Sequence, residues 1–296
     1  MIELLKIALL AIVQGLAELL PVSSSTHVIV AEKLLGLDPS SAEMTLLLVM
    51  LHTGTMFAVI VYFWRAWKKS IFASRAVFTQ QALRLLIATA LTGAIYLAID
   101  KGIAKGVEKS GYVFRDTNGQ AQKYETELLF GNLGLIAAAL AAAGVVILAA
   151  GLLEKARDRG RSVEVGDAAW IGVVQGICLP FRGFSRSGAT ISTGMLLGVA
   201  KAKAEEFSFA LAVILTPAVV GRELWRLMKK HPEAHDVHFI LSMLGPSLLG
   251  MVFAFLAGLL ALKWLSRWLE NGRWYLFGVY CLVAAVGVFV LHCRGF

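Results

Sequence analysis

Residues 14–27 read QGLAELLPVSSSTH, and residues 175–188 read QGICLPFRGFSRSG. Both stretches begin with Gln-Gly at the end of an apolar segment and continue into a cluster of polar residues. Each cluster is embedded in hydrophobic sequence that is long enough to lie in a membrane. Because polar groups are costly at that depth, they mark a site by default. The two clusters are therefore the candidate functional residues of this chain.

The composition is that of an integral membrane protein. Of the 296 residues, 58% are hydrophobic and 16% are charged, and the mean hydropathy is +0.72. Soluble domains are typically about 45–50% apolar and about 25% charged. The net charge of +8 lies largely in short connections, where it suits anionic lipid headgroups. No basic stripe with interleaved aromatic residues occurs elsewhere, which argues against nucleic-acid binding, and the three cysteines lack metal-site spacing.

Six apolar runs are long enough to cross a bilayer, which requires about 20 helical residues. They lie at about 44–64, 80–99, 128–152, 204–227, 238–262 and 273–293. Shorter helical pieces come in two pairs, at 2–20 with 24–36 and at 166–179 with 186–200. We predict that each pair is a re-entrant helical hairpin whose turn is buried in protein. An alternative is that the first piece crosses the membrane as a plain helix.

An internal repeat organises the chain. Four short matches recur at an offset of 161 or 162 residues: Gln14-Gly15 with Gln175-Gly176, Trp64-Arg65 with Trp225-Arg226, Lys68-Lys69 with Lys229-Lys230, and Leu34-Leu35-Gly36 with Leu196-Leu197-Gly198. Three spans separate the copies, so the second is predicted to be inverted in the membrane. The predicted fold is one all-α transmembrane domain of two inverted-topology repeats, about 1–152 and 153–296. A polar extramembrane loop is predicted at about 100–127.

The positive-inside rule predicts the orientation, because cytoplasmic connections carry an excess of lysine and arginine. Twelve basic residues fall on one predicted side: Arg65, Lys68, Lys69, Arg75, Arg84, Lys155, Arg157, Arg159, Arg161, Lys263, Arg267 and Arg273. We expect these connections in the cytoplasm, with both termini and the 100–127 loop outside. His52, within the first span, is interpreted as a packed, hydrogen-bonded histidine.

The first cluster combines an acid with a predicted helix start. Gln14 and Glu18 are one turn apart on the same helix side, and this helix should end near Pro21. Ser23 and Ser24 are predicted N-caps of the next helix, whose first amides bind phosphate readily; these amides belong to Ser24, Ser25 and Thr26. An alternative is that the hydroxyls only cap the helix, but a cap requires neither Glu18 nor His27.

The second cluster differs from the first in charge. At the same offset, Arg186 replaces Ser25 and Arg182 replaces Pro21, whereas Leu179 and Gly188 replace Glu18 and His27. One half is therefore equipped for proton transfer and attack, and the other for holding negative charge. Snorkelling is the usual role of such arginines, but the neighbouring residues favour a phosphate cradle with glycines that allow close backbone approach: Gly183, Ser185, Ser187, Gly188 and Thr190.

Together the two clusters would surround a highly charged anion at membrane depth. Phosphoryl transfer requires positioning, charge neutralisation and an in-line nucleophile. A serine hydroxyl beside Glu18 or His27 could attack the phosphorus, or either residue could activate water. The residues alone leave the choice among these nucleophiles open.

QGLAE followed by PVSSSTH, with RGFSRSGATIS in the second half, resembles the undecaprenyl-diphosphate phosphatase family of bacterial membranes, which is linked to bacitracin resistance. The resemblance covers nearly the whole chain. It implies dephosphorylation of a polyprenyl diphosphate carrier lipid to the monophosphate for cell-wall synthesis. It also implies an inverted repeat with two re-entrant hairpins in the bacterial inner membrane, a site open to the outer, periplasmic face, and stimulation by a divalent cation such as Mg²⁺ or Ca²⁺.

The resemblance also assigns residues. Gln14 and Glu18 match the family's pair of acidic or amide positions, with Glu18 as base or metal ligand. Ser24 matches its proposed nucleophile, His27 matches its motif histidine, and the second motif is matched by Ser185, Arg186 and Thr190. This chain departs from the pattern at three positions: Gln14 replaces a frequent glutamate, Arg182 a proline and Thr26 a glycine.

Two other function classes remain open at this stage. A transporter or flippase would move a polyprenyl phosphate or another anion without cleaving it, and the inverted repeat is typical of that class. A scaffold for partner helices would tolerate alanine in the polar clusters. The oligomeric state is also open, a homodimer included.

Overall fold

Ten helices, with one pair of two-residue strands, make up the part of the chain that the computed structural model describes, namely residues 4–37, 41–110, 114–115, 121–122, 129, 132–157, 159–230 and 237–295. The helices are α1 (Leu4–Leu19), α2 (Ser24–Leu34), α3 (Ala42–Ser70), α4 (Arg75–Ser110), α5 (Leu133–Arg157), α6 (Val165–Cys178), α7 (Arg186–Leu196), α8 (Lys201–Lys230), α9 (Val237–Glu270) and α10 (Trp274–Cys293). The strands β1 (Phe114–Arg115) and β2 (Ala121–Gln122) pair antiparallel.

Six of these helices are long and apolar enough to cross a membrane: α3, α4, α5, α8, α9 and α10. This confirms the predicted all-α membrane protein with six spans. Helix α1, with 16 described residues, is not among these six. Whether the pairs α1–α2 and α6–α7 are re-entrant in the bilayer stays a prediction.

The 100–127 loop begins later than predicted. Helix α4 continues to Ser110, so residues 100–110 are helical, although Gly102 and Gly106 indicated a loop. Extending an existing helix avoids the cost of nucleation, so two glycines at about 1 kcal/mol each did not end it. Most of the remaining predicted loop, residues 111–127, lies outside the described residues.

Local capping fixes several helix starts. Ser41 accepts a hydrogen bond from the Met44 amide at 3.2 Å and caps α3, while Glu164 and Asp167 form a reciprocal capping box at the start of α6. The guanidinium of Arg161 holds the same Asp167, with 2.9 Å from Nη2 to Oδ1. The contacts of Asp167 stabilise the end of the molecule at which α3, α5 and α9 end, which we call the basic face, whereas Ser41 lies at the opposite end of α3.

The order of helices repeats, with two short helices and then three long ones in α1–α5 and again in α6–α10. The packing repeats as well, because α1 packs on α9, and α6, its counterpart, packs on α4. Gly15 and its counterpart Gly176 make both approaches close. A Cβ added to Gly15 would lie 2.7 Å from the Ala254 carbonyl oxygen, and one added to Gly176 would lie 2.8 Å from that of Thr92.

Gly176→Ala is expected to lower the free energy of unfolding by about 1–3 kcal/mol, because the added methyl group overpacks the contact between α6 and α4. Gly93→Ala on α4 is the matched control, since a Cβ there meets nothing within 4 Å. The measurement is thermal unfolding of both purified variants in detergent. Equal stability of the two variants would contradict the close packing of α6 on α4.

Candidate functional site

The turns of the two short helix pairs meet in the interior. The buried Ser187 hydroxyl of α7 donates to the Leu20 carbonyl oxygen at 3.3 Å, and the Cys281 thiol of α10 donates to the Pro21 carbonyl oxygen at 3.3 Å. These bonds reach backbone carbonyl groups just beyond the end of α1, where intrahelical partners run out. The second repeat thereby fixes the turn of the first.

A cavity of about 160 Å³ lies between the turns. Its polar lining comes from both predicted clusters: Glu18, Ser23, Ser24 and Ser25 from the first, and Arg182, Ser185, Arg186 and Ser187 from the second. The two clusters, about 160 residues apart in sequence, therefore line one shared cavity.

Glu18 is the centre of this cavity. Its Oε1 accepts a hydrogen bond from Arg186 Nη2 at 3.0 Å, so one residue from each repeat forms an ion pair. Its Oε2 accepts from the Ser24 hydroxyl at 2.6 Å and from Gln14 Nε2 at 3.2 Å. A short hydrogen bond between a hydroxyl and a carboxylate is the arrangement of a nucleophile with its base.

Gln14 is buried behind Glu18 rather than in the cavity lining. Its Nε2 lies 3.0 Å from His52 Nδ1 on α3, and because an amide nitrogen only donates, Nδ1 is the acceptor. His52 is hydrogen-bonded, as predicted, but its partner belongs to the site, and its Nδ1 lies 3.8 Å from Glu18 Oε2. Gln175, the counterpart of Gln14, instead donates to Thr92 at 3.1 Å, which is a structural role.

The predicted N-cap of α2 is confirmed in position for Ser23, whereas Ser24 is the first residue of the helix. Ser23 occupies the N-cap position at φ 67°, and its side chain makes no capping bond. A side-chain cap normally requires an extended backbone, which this residue lacks. Its hydroxyl lies instead 3.0 Å from that of Thr26 and 3.3 Å from that of Ser25, while the Ser24 hydroxyl is bound to Glu18.

Ser23 is also the one non-glycine residue of the described chain with positive φ. Such a conformation costs about 1–3 kcal/mol and persists only where the surroundings enforce it. His27 enforces it here, because its Nδ1 lies 2.8 Å from the Ser23 carbonyl oxygen. A carbonyl oxygen only accepts, so Nδ1 carries the proton and donates.

His27 does not line the cavity. Both of its ring nitrogens form hydrogen bonds with other groups. Nε2 lies 2.6 Å from the Tyr280 hydroxyl of α10, and the two rings stack at 5.7 Å. The structure therefore places His27 as support for the Ser23 turn. Tyr280 is a site residue that the sequence analysis missed, since it stands in an apolar run 253 residues from His27.

In the second turn, Ser185 caps α7 as an N-cap, with its Oγ accepting from the Gly188 amide at 3.2 Å. Gly183 adopts φ +106°, and a Cβ there would lie 2.3 Å from the Ile136 carbonyl oxygen, so only glycine fits. Thr190 lies beneath the cavity and shares a 2.6 Å hydrogen bond with Ser208. Thus Gln14, Thr26, His27, Gly183 and Thr190 surround the cavity without lining it.

Glu32 on α2 is a second residue that the sequence analysis missed. It is 1% exposed, and its Oε1 has no hydrogen-bond partner among the described residues. Arg182, which lines the cavity, is close enough for the two charges to interact. A carboxylate is almost never this buried without a cation. The charge of Arg182 therefore offsets part of the cost of burying Glu32.

The comparisons with known proteins identify the family of the chain. A family described as bacitracin resistance protein BacA matches residues 7–287. A protein of Acinetobacter baylyi named undecaprenyl-diphosphatase 2 is 57% identical over 284 residues, which cover 95% of each chain. Proteins named undecaprenyl-diphosphatase from Desulfosudis oleivorans and Parabacteroides distasonis are 34% and 31% identical, over 93% and 96% of each chain. The chain therefore belongs to the bacitracin resistance protein BacA family.

Proposed function

We propose that this chain hydrolyses undecaprenyl diphosphate to undecaprenyl monophosphate and inorganic phosphate, so that the carrier lipid is recycled for cell-wall synthesis. The observation that carries the proposal is the junction of Ser24, Glu18 and Arg186 across the two repeats. It places a hydroxyl, a base and a guanidinium in one cavity. The relatives named undecaprenyl-diphosphatase support the same substrate.

The geometry favours Ser24 as the nucleophile over His27. Ser24 Oγ attacks the terminal phosphorus while its proton passes to Glu18. The bond from that phosphorus to the bridging oxygen breaks, and the lipid monophosphate leaves with the electron pair. Glu18 passes that proton to the departing lipid monophosphate and can then deprotonate the water molecule that hydrolyses the phosphoserine. The proton from water returns to Ser24 Oγ as inorganic phosphate leaves. The competing route is direct attack by a Glu18-activated water molecule.

Arg186 balances the charge of the substrate. Its guanidinium already lies in the cavity on Glu18 and can donate to phosphate oxygens in the planar geometry that suits them. The amides at the starts of α2 and α7 add partial positive charge on the same cavity. The ion pair thus keeps both side chains in place before the substrate binds.

A divalent cation fits this site only with the substrate's help. Glu18 is the sole carboxylate in the cavity lining, and the described residues contain no group of three or more metal-binding side chains. Mg²⁺ typically binds one or two carboxylates together with substrate phosphates. We propose that Glu18 and the phosphate oxygens would hold Mg²⁺ or Ca²⁺, which would neutralise phosphate charge. Gln14 supplies an amide donor here rather than a second carboxylate.

The protein is a multi-pass membrane protein, and the distribution of its basic residues supports a proposal for its orientation. Basic connections favour the cytoplasm, which would put the α1–α2 pair, and with it the entrance to the cavity, on the outer face. We place the protein in the bacterial inner membrane, where the carrier lipid is used. A homodimer stays a prediction.

Phosphate release by the purified protein in detergent tests the proposed function. No transport can occur without a membrane, so a transporter or flippase would release no phosphate. The expected result is one phosphate released per undecaprenyl diphosphate, with the monophosphate left in the lipid fraction. Glu18→Gln, purified identically, controls for contaminating phosphatases. Binding of the lipid without any release would overturn the assignment.

Glu32→Gln is expected to raise KM by about five- to thirtyfold with little change in kcat, because the buried side chain could no longer carry a charge that interacts with Arg182. The measurement is steady-state phosphate release, with Glu43→Gln as the control acid outside the site. Arg182→Ala should raise KM similarly, and the double variant should be no worse than either single one. A normal KM for Glu32→Gln beside a raised KM for Arg182→Ala would contradict this pairing.

A further inference from the structure

The described part of the chain contains a second, larger cavity, of about 320 Å³, at the basic face. It shares no residue with the cavity around Glu18 and lies where α3 ends and where α4 and α8 begin. Its walls are apolar at Ile71, Val77, Leu85, Val163 and Phe207, and polar at Lys69, Ser70, Gln81, Arg84, Ser162, Lys203 and Glu206. Polar and apolar walls in one cavity suit the charged headgroup of a lipid and the carbon atoms next to it.

The charges in this second cavity do not cancel. Lys203 Nζ lies 3.1 Å from both carboxylate oxygens of Glu206, so the one acid of the lining is already paired. Lys69, the last lysine of α3, forms no ion pair with a described carboxylate. Two cations, Lys69 and Arg84, therefore remain for an anion.

Arg84 also has a hydrogen-bond donor that is not used by the described residues. Its Nε is buried and has no hydrogen-bond partner among the described residues. The nearby Asp167 interacts with the charge of Arg84, but both of its oxygens accept hydrogen bonds from Arg161. Buried donors are normally paired, and an unpaired one requires an explanation such as a ligand.

We propose that this cavity binds the phosphate of an anionic membrane lipid, held by Arg84 and Lys69. Basic pockets between transmembrane helices commonly bind such headgroups at the membrane surface. The hydroxyls of Ser70 and Ser162 and the amide of Gln81 are further donors in the lining. The glycerol and first acyl carbons would then contact Leu85 and Phe207.

Native mass spectrometry of the purified protein, titrated with dioleoyl phosphatidylglycerol, tests this site. Phosphatidylcholine provides the uncharged comparison, and inorganic phosphate provides the arm that separates a lipid headgroup from the free anion. Lys69→Gln and Arg84→Gln are each expected to weaken phosphatidylglycerol binding about fivefold. Lys68→Gln is the matched control, because Lys68 is the neighbouring lysine but lies outside the cavity, over the Trp64 ring.

Selective weakening by Lys69→Gln and Arg84→Gln, with Lys68→Gln close to wild type, is the expected result. Competition by millimolar inorganic phosphate would identify free phosphate as the occupant of the same anion site. Equal weakening by all three variants, or equal binding of phosphatidylcholine, would overturn the proposal, because either result means general attraction to a basic surface. Lys69→Gln keeps the test valid if Arg84→Gln fails to fold, since Lys69 is exposed.

Discussion

Arg186→Ala is expected to reduce kcat/KM for undecaprenyl diphosphate by about 10³-fold or more. Arginines that stabilise the transition state of phosphoryl transfer contribute about 10³–10⁵-fold. Here the loss has two causes, because Arg186 both faces the substrate cavity and bonds to Glu18 at 3.0 Å. Without Arg186 the diphosphate loses its main cation, and the negative charge of Glu18 beside it is no longer balanced. The measurement is phosphate release in detergent.

Two further variants test whether the loss of activity is specific to the guanidinium of Arg186. Arg75→Ala, at the exposed start of α4, removes an arginine remote from the cavity and should keep full activity. Arg186→Lys keeps the charge but loses the planar fork, so its activity should fall between those of wild type and Arg186→Ala. Full activity of Arg186→Ala would show that the second repeat does not bind the diphosphate.

Ser24→Ala is expected to lower kcat by about 10³-fold or more, because it removes the hydroxyl that Glu18 activates. The matched control is Ser25→Ala. Ser25 lines the same cavity, but its hydroxyl bonds to Ser23 at 3.3 Å rather than to Glu18. Loss of that bond should cost about tenfold at most. The measurement is single-turnover phosphate release with both variants.

A rapid acid quench during turnover tests whether a phosphoserine forms at Ser24. If Ser24 attacks the phosphorus, the quenched wild-type protein carries one phosphoryl group on the peptide that contains Ser24. Ser25→Ala should carry the same group, and Ser24→Ala should carry none. Ser24→Ala with near-normal turnover would instead support direct attack by water, with Glu18 as the base.

The spans and the repeat were predictable because their signals are local and strong. Continuous apolar runs separated by charged connections predict spans whatever the tertiary packing, and each predicted run has a helix. Helices α1–α4 recur as α6–α9 close to the offset that Gln14 and Gln175 revealed. The convergence of the two polar clusters was predictable as well, because a buried acid and a buried arginine each need a partner.

The residues that hold the site residues in place could not be predicted, because their roles depend on contacts between distant elements. Tyr280 carries no sequence signal beyond an apolar helix, yet it bonds to His27 across 253 residues. Glu32 looks like an ordinary polar position of a short helix and is nevertheless buried near Arg182. His27 holds the carbonyl oxygen of Ser23, the residue with positive φ, and is itself held by Tyr280, so this turn also depends on a distant contact.

Glu18 and Arg186, one residue from each repeat, are expected to act on the same diphosphate as a unit. A double-mutant cycle of kcat/KM with Glu18→Gln, Arg186→Lys and the combined variant tests it directly, because residues in contact show non-additive effects. The combined variant is expected to be within about tenfold of the worse single variant. Losses that multiply fully would contradict it, because Glu18 and Arg186 would then act independently.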